Sequence, residues 1–299
     1  MARTQSQIQA FQDCQKFFYW KNRAKLVPNG AAAEQNLGTA VHKALEVWMT
    51  TEDWAKVLVA YHGYKASLGE NDFVMGLSML EGYKKKWGRP SEKYEVIKVE
   101  KEFEITFDGD VEPFRGKIDV ILKNRETGET ELWDHKTVTS YTPEYIIRRW
   151  MDLQLHAYYI GATEGLGIPI HRFVYDVLVK PGVRRKKGET VGEYSERCVA
   201  ELSDENFDRV PFAVDPVRVA SVRRNIAIVS ANIEIADQTG AYAENVNHCF
   251  AYNRPCDYWH LCVSHGSKLV RDNGYTVAAE NPELSMEVKP DGNRPATGV

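Results

Sequence analysis

No window of the 299 residues holds the ~18 consecutive apolar side chains that a membrane-spanning helix needs, which excludes an integral helical membrane protein. The opening stretch, MARTQSQIQAFQDC, lacks the apolar core of a secretory signal, so a cytoplasmic protein is the expectation. Cysteine is scarce and odd in number: Cys14, Cys198, Cys249, Cys256 and Cys262. In a cytosolic chain that argues against a disulfide framework and toward metal-bound or free thiols. Nor is there an excess of positive charge. Lys and Arg number 38 against 42 Asp and Glu, a net charge of −4, so overall charge advertises no polyanionic partner. A GxxxxGK(S/T) phosphate loop is also missing, and any nucleotide-driven motor would have to come from another chain.

What is present reads as a globular protein. Hydrophobic residues make up 43% and charged residues 27%. A chain of this length suits one large domain or two small ones and can bury roughly three quarters of its surface. Three basic runs interrupt the acidic background: Lys84-Lys85-Lys86, Arg148-Arg149 and Arg184-Arg185-Lys186-Lys187. Each is open to two readings, a solvated face or a phosphate contact.

Helical spacing dominates the first ninety residues. The stretch 4–20 is aromatic-rich with a helical period, and 25–34 is a turn around Pro28-Asn29-Gly30. Leu37, Val41, Ala44, Leu45 and Trp48 predict a helix over 36–49, and helix continues over 53–87 with breaks near Gly63 and Gly69. After Pro90 the period falls to two. Residues 95–107 place Ile97, Val99, Phe103, Ile105 and Phe107 on one face of a strand. Strands follow over 114–123, 130–137 and 171–180, with helices over 143–164, 190–203 and 216–238. Residues 270–299 are polar, carry Pro and Gly, and read as a loose tail.

The second and third strands are joined by NRETGE, a connection suited to a hairpin. Side chains alternate along a strand, so Asp119 points opposite to Ile118 and Val120, while Asp134 and Lys136 share a face. Pairing these strands would bring two carboxylates and an ammonium to one spot. Two hard carboxylates can hold Mg²⁺ or Mn²⁺, and the ion polarises a phosphoryl oxygen and activates water. A Lys beside them can orient that water and offset charge on the phosphate. Asp is disfavoured in apolar strands, so its presence there calls for a reason. An ordinary hairpin with one polar face is the competing reading.

Gly116-Lys117-Ile118-Asp119 followed by Trp133-Asp134-His135-Lys136-Thr137 resembles the PD-(D/E)XK nuclease superfamily in its RecB-like branch. There is no Pro before Asp119, a loose part of that motif. The stretch Gly38 to Glu46 resembles the branch's N-terminal helix, which makes His42 a metal ligand. Otherwise His42 is an ordinary helix histidine. Gln154 and Tyr158 lie four apart on one helix face and resemble the branch's Gln-x-x-x-Tyr motif. The resemblance assigns them, with Lys180, Arg184 and Arg185, to DNA binding, against an amphipathic helix and a solvated basic loop.

The resemblance also covers the cysteines. Three late ones, Cys249, Cys256 and Cys262, and an early one, Cys14, are similar to the iron–sulfur-bearing members, the AddB-type and CRISPR-adaptation nucleases. In those a 4Fe–4S cluster ties the two ends of the domain. Zinc and free thiols are the alternatives, since thiolates suit both metals. Pro255, Phe250, Tyr252, Tyr258 and Trp259 would shield the cluster. The spacing from Cys249 to Cys256 is wider than the two-residue gap of some relatives, and Cys198 stands outside the pattern.

The resemblance implies an α/β fold with a restriction-endonuclease-like core. That core is a central mixed sheet of about four or five strands, flanked by helices, with a helical N-terminal part. One nuclease domain would span 1–269: a helical part at 1–90, a catalytic core at 91–190, and a helical part with the cysteines at 191–269. The implied activity is metal-dependent hydrolysis of DNA, exonucleolytic on ends or single strands, in recombination, repair or spacer processing. A phage or mobile-element setting fits a short stand-alone chain, and a helicase or recombination protein would be the partner. A catalytically silent DNA-binding or scaffold protein on the same fold is the alternative.

Overall fold

The computed structural model describes residues 3–29, 37–107, 112–251 and 254–278. Helices α1 (Gln5–Asp13) and α2 (Gln15–Phe18) open the chain, followed by β1 (Leu26–Pro28). Three helices come next, α3 (Leu37–Thr51), α4 (Trp54–His62) and α5 (Glu70–Trp87). The middle of the chain runs β2 (Tyr94–Ile105), β3 (Phe114–Asn124), β4 (Thr130–Val138), α6 (Pro143–Trp150), α7 (Leu153–Ile160) and β5 (Arg172–Val179). Then follow α8 (Val191–Glu201), β6 (Phe207–Ala213), α9 (Pro216–Thr239), α10 (Val246–Cys249), α11 (Trp259–Val263), α12 (Lys268–Gly274) and β7 (Tyr275–Val277). None of the helices among the described residues is long and apolar enough to cross a membrane.

The chain divides into two compact units, residues 1–9 with 32–241 and residues 10–31 with 242–299. The larger unit is the expected α/β fold. Its five-stranded sheet has the order β2-β3-β4-β5-β6, antiparallel except for the parallel β4–β5 pair. The apolar spacing of α3 does what it predicts. Leu37, Val41, Ala44, Leu45 and Trp48 are buried with Val57, Tyr61, Met79 and Leu80 of α4 and α5 against Val120, Leu122, Trp133, Val174 and Leu178 of the sheet. Asp53 caps α4 by accepting from the N–H groups of Ala55 and Lys56, and the chain breaks after Gly63 and before Glu70 as expected.

Several expectations change. The helix over 143–164 is interrupted, because Asp152 turns its carboxylate onto the Gln154 N–H and starts α7 afresh. In β2 the register shifts between Val96 and Lys98, so Ile97 is half-exposed while Phe103, Ile105 and Phe107 are buried. Strand β6 has no counterpart in the sequence reading. Pro211 lies within it and is tolerated because β6 is an edge strand, where a missing N–H leaves no ladder bond unmade.

The aromatic stretch near the start of the chain is not one helix but α1 and α2, parted at Cys14. The turn at 25–34 contains β1, which pairs antiparallel with β7, while residues 30–36 lie outside the described residues. The tail expectation therefore fails for 270–278. Tyr275 is buried, stacks on Tyr258 and fixes β7, and Tyr258 donates its hydroxyl to the Leu26 carbonyl at 2.6 Å. Residues 279–299 lie outside the described residues.

Candidate active site

The hairpin forms as the alternation predicts, closed by a turn in which Gly128 takes a φ of +73° that its lack of a Cβ permits. Strands β3 and β4 pair only over Val120–Lys123 with Trp133–Thr130. Beyond that point β3 continues along β2 and β4 along β5, and the two part company. Asp119 and Asp134 sit where they separate. The parting frees main-chain groups, and a buried N–H needs an acceptor. The Asp119 Oδ2 supplies one, accepting from the His135 N–H at 3.0 Å.

Four of the expected residues converge here. Asp134 is 1% exposed, with one oxygen 2.7 Å from the Lys136 ammonium. Its Oδ1 has no hydrogen-bond partner. From α3, the His42 Nδ1 lies 3.6 Å from Asp119 Oδ2. Lys136 donates to the Gln154 Oε1 at 2.9 Å, and the Gln154 Nε2 donates to the Tyr158 hydroxyl at 2.8 Å. Gln154 and Tyr158 therefore extend in a chain from the Lys136 ammonium. Asp152 braces them, accepting from Arg149 at 2.6 Å and from the Tyr175 hydroxyl at 3.1 Å.

The electrostatics suit an incomplete cation site. Burial, then the charge of Asp134, pushes the Asp119 carboxyl up to about 7. Burial also raises Asp134, against the pull of Lys136. For Lys136 burial works against the charge, but Asp134 and Asp119 prevail and hold the ammonium above its ordinary range. Burial, with the charges of His135 and Lys136, drives His42 down to about 3, which leaves a neutral imidazole free to act as a ligand. Among the described residues no three His, Cys, Asp or Glu side chains converge tightly enough to form a complete metal cage. The donor set nonetheless fits a hard divalent cation: two carboxylates that disfavour each other's charge, an oxygen without a donor, and a neutral imidazole.

Other expected residues lie elsewhere. Lys180 directly follows β5, its N–H donating to the Val138 carbonyl. Arg184 is exposed, and Arg185 is engaged by Glu70 at 2.6 Å and by the Glu189 carbonyl. None of these contacts links the three to the carboxylates.

Cys14, Cys249, Cys256 and Cys262 all belong to the smaller unit, as free thiols. Cys14 is buried and its sulfur accepts the Asn245 N–H at 3.4 Å. Burial raises the Cys256 thiol, and the thiols of Cys249, Cys262 and Cys14 add to the push. Of the expected shield, Tyr258 is buried, Phe250 and Pro255 are exposed, and Tyr252 lies outside the described residues. Cys198 is buried beside Tyr194 in the larger unit.

The sequence reading passed over a second buried group. His135 Nδ1 lies 2.8 Å from Asp176 Oδ2, which also accepts the Tyr83 hydroxyl at 2.5 Å, while Arg209 reaches Asp176 Oδ1 at 3.4 Å. An Asp inside the apolar run RFVYDVLV is the same signal that singled out Asp134.

A sequence model of the PD-(D/E)XK nuclease superfamily matches residues 3–263. The chain belongs to that superfamily. A search of curated proteins finds no match. Among solved structures, a protein from Eubacterium rectale provisionally described as an exonuclease aligns at 11% identity, over 85% of this chain and 88% of that one, with a TM-score of 0.47. A protein named SSO0001 aligns at 15% identity, over 75% and 82% of the two chains, with a TM-score of 0.30. Similarity that low bears on neither fold nor function. As a member of the superfamily the protein is a nuclease-type hydrolase, a class that typically uses Mg²⁺ or Mn²⁺.

Proposed function

We propose that this protein is a metal-dependent deoxyribonuclease of the RecB-like branch, an exonuclease acting on DNA ends or single strands. The observation that carries the reading is the convergence of Asp119, Asp134 and Lys136 where β3 and β4 separate, with His42 beside Asp119. Asp119, Asp134 and His42 would hold a Mg²⁺ or Mn²⁺ ion, which supplies Lewis acidity and a water nucleophile at neutral pH. Lys136, held charged by its carboxylate neighbours, orients the attacking water and offsets charge on the phosphate. Gln154 and Tyr158 fix the direction of the ammonium and lie close enough to meet a DNA phosphate. Lys180, Arg184 and Arg185 are the outer DNA contacts, which for Arg185 requires release from Glu70.

The four cysteines of the smaller unit would hold a 4Fe–4S cluster, with zinc as the alternative, although among the described residues no three of them are grouped tightly enough for a metal ion. What supports this is the donor chemistry, the burial of Cys14 and the electrostatic influence of the thiols on one another. A cytoplasmic setting, a part in recombination, repair or spacer processing, and a helicase or recombination partner complete the reading. The test is cleavage of end-labelled single- and double-stranded DNA with Mg²⁺ or Mn²⁺, against a chelated control. Asp134→Ala should lower the rate by at least about 10²–10³-fold, the size of a lost electrostatic element. Cleavage by the chelated protein, or by Asp134→Ala at the parental rate, would sink the assignment.

A further inference from the structure

The buried group behind the site is built in register. His135, Asp176 and Arg209 are cross-strand neighbours on β4, β5 and β6, and Tyr83 of α5 closes over them. Asp176 is fully buried and His135 is 2% exposed. Arg209 also donates to the Tyr83 hydroxyl at 3.1 Å, and its guanidinium stacks 3.9 Å over Trp87 and 4.5 Å over Trp133. Burying such charges is costly, and well-packed apolar residues in their place are often as stable. Fold stability alone is thus a poor reason for the arrangement.

Its position offers a better one. His135 lies between Asp134 and Lys136, its ring on the opposite face of β4. Its N–H holds Asp119, and its ring meets that of His42 edge to face, with centroids 5.9 Å apart at 81°. His135 thus touches, through main chain or ring, every proposed metal-holding residue. Asp176 is the hydrogen-bond partner of that ring, since the other nitrogen, Nε2, has none.

We propose that His135 and Asp176 are positioning residues of the active site, Asp176 anchoring His135 so that the residue-135 N–H presents the Asp119 carboxylate toward the cation. This rests on the nuclease reading above. An outer partner that orients a ligand typically accounts for about 10–100-fold in metal affinity or activity.

The experiment compares the parent with His135→Phe, Asp176→Asn and the double variant. Four quantities are measured: melting temperature, Mn²⁺ affinity by titration, and kcat and KM on whichever DNA the parent cuts. Assays run well below every melting point. Each single variant should bind Mn²⁺ about tenfold more weakly and lose roughly 10–100-fold in kcat, with KM little changed. The double variant should be no worse than the poorer single one, because two residues acting as one unit are not additive. A folded His135→Phe with parental Mn²⁺ affinity and kcat would overturn the proposal, whatever its melting temperature. Should that variant not fold, Asp176→Asn decides, since it alters the anchor of the His135 ring and leaves the residue-135 main chain in place. Parental Mn²⁺ affinity in that variant would likewise overturn the proposal. If the parent binds Mn²⁺ but cuts no DNA, the nuclease reading fails and the Mn²⁺ titrations still decide. A parent that binds no Mn²⁺ overturns both.

Discussion

Burial and the charge of Asp134 push the Asp119 carboxyl upward, and this has a sign that can be checked. That carboxyl stands at about 7 against an ordinary 3.8, so the metal-free fold favours the protonated form. That stabilising contribution is complete below about pH 4 and is lost as the pH rises to about 7. A cation requires the carboxylate and competes with the proton. Mn²⁺ affinity should therefore climb with pH up to about 7 and then level, with proton release on binding near pH 6. Calorimetry in buffers of different ionisation enthalpy measures that release, and Asp119→Asn should abolish it. His42→Ala should lower activity or metal affinity by about 10–100-fold. Parental behaviour at limiting Mn²⁺ would remove His42 from the site. Asp119, Asp134 and Lys136 were legible in the sequence from strand alternation together with a family resemblance, and His42 from the resemblance alone. His135 and Asp176 were not. Their partnership depends on a parallel β4–β5 pairing between positions 41 apart in sequence, which no local pattern encodes.

Elements position these residues, and their ends matter most. Asp152 caps α7, receives Arg149 and receives the Tyr175 hydroxyl. Loss of a helix cap costs about 0.5–2 kcal/mol, and the stranded partners add to it. Asp152→Ala should therefore melt measurably lower, and it should also lower kcat, because α7 carries Gln154 to Lys136. An unchanged kcat would separate the cap from the site. In β3, a Cβ on Gly116 would lie 2.5 Å from the Phe103 ring. Gly116→Ala should then cost about 1–3 kcal/mol by overpacking, read as a lower denaturant midpoint at constant slope. Amphipathic spacing made α3 and the β3–β4 hairpin legible. The restart at Asp152 was hidden inside an apolar stretch of helical period. Strand β6 was hidden by Pro211, which counts against a strand until its edge position is known.

For the whole molecule, the cysteines give the sharpest test. Anaerobically purified protein should contain iron and acid-labile sulfide. Cys14→Ala and Cys262→Ala should lose both along with much of the stability, while Cys198→Ala should keep its iron. Colourless protein with stoichiometric zinc would keep the ligands and change the cofactor. Four freely titratable thiols without metal would remove both. The smaller unit was poorly legible because β1 and β7 are three-residue strands that acquire meaning only by pairing across the length of the chain.

The smaller unit draws its residues from 10–31 and from 242 onward, and this bears on how the protein is made. A ribosome extends a chain by about 5–20 residues per second, so the 211 residues from position 31 to 242 take roughly 10–40 s to emerge. For that interval Trp20 and Leu26, which in the finished protein are buried with Tyr258, Leu261 and Tyr275, have no late partners to cover them. A nascent chain stalled before residue 242 should hold a protease-resistant larger unit and a cleavable segment at 10–31. Extension past Val277 should close that window of vulnerability.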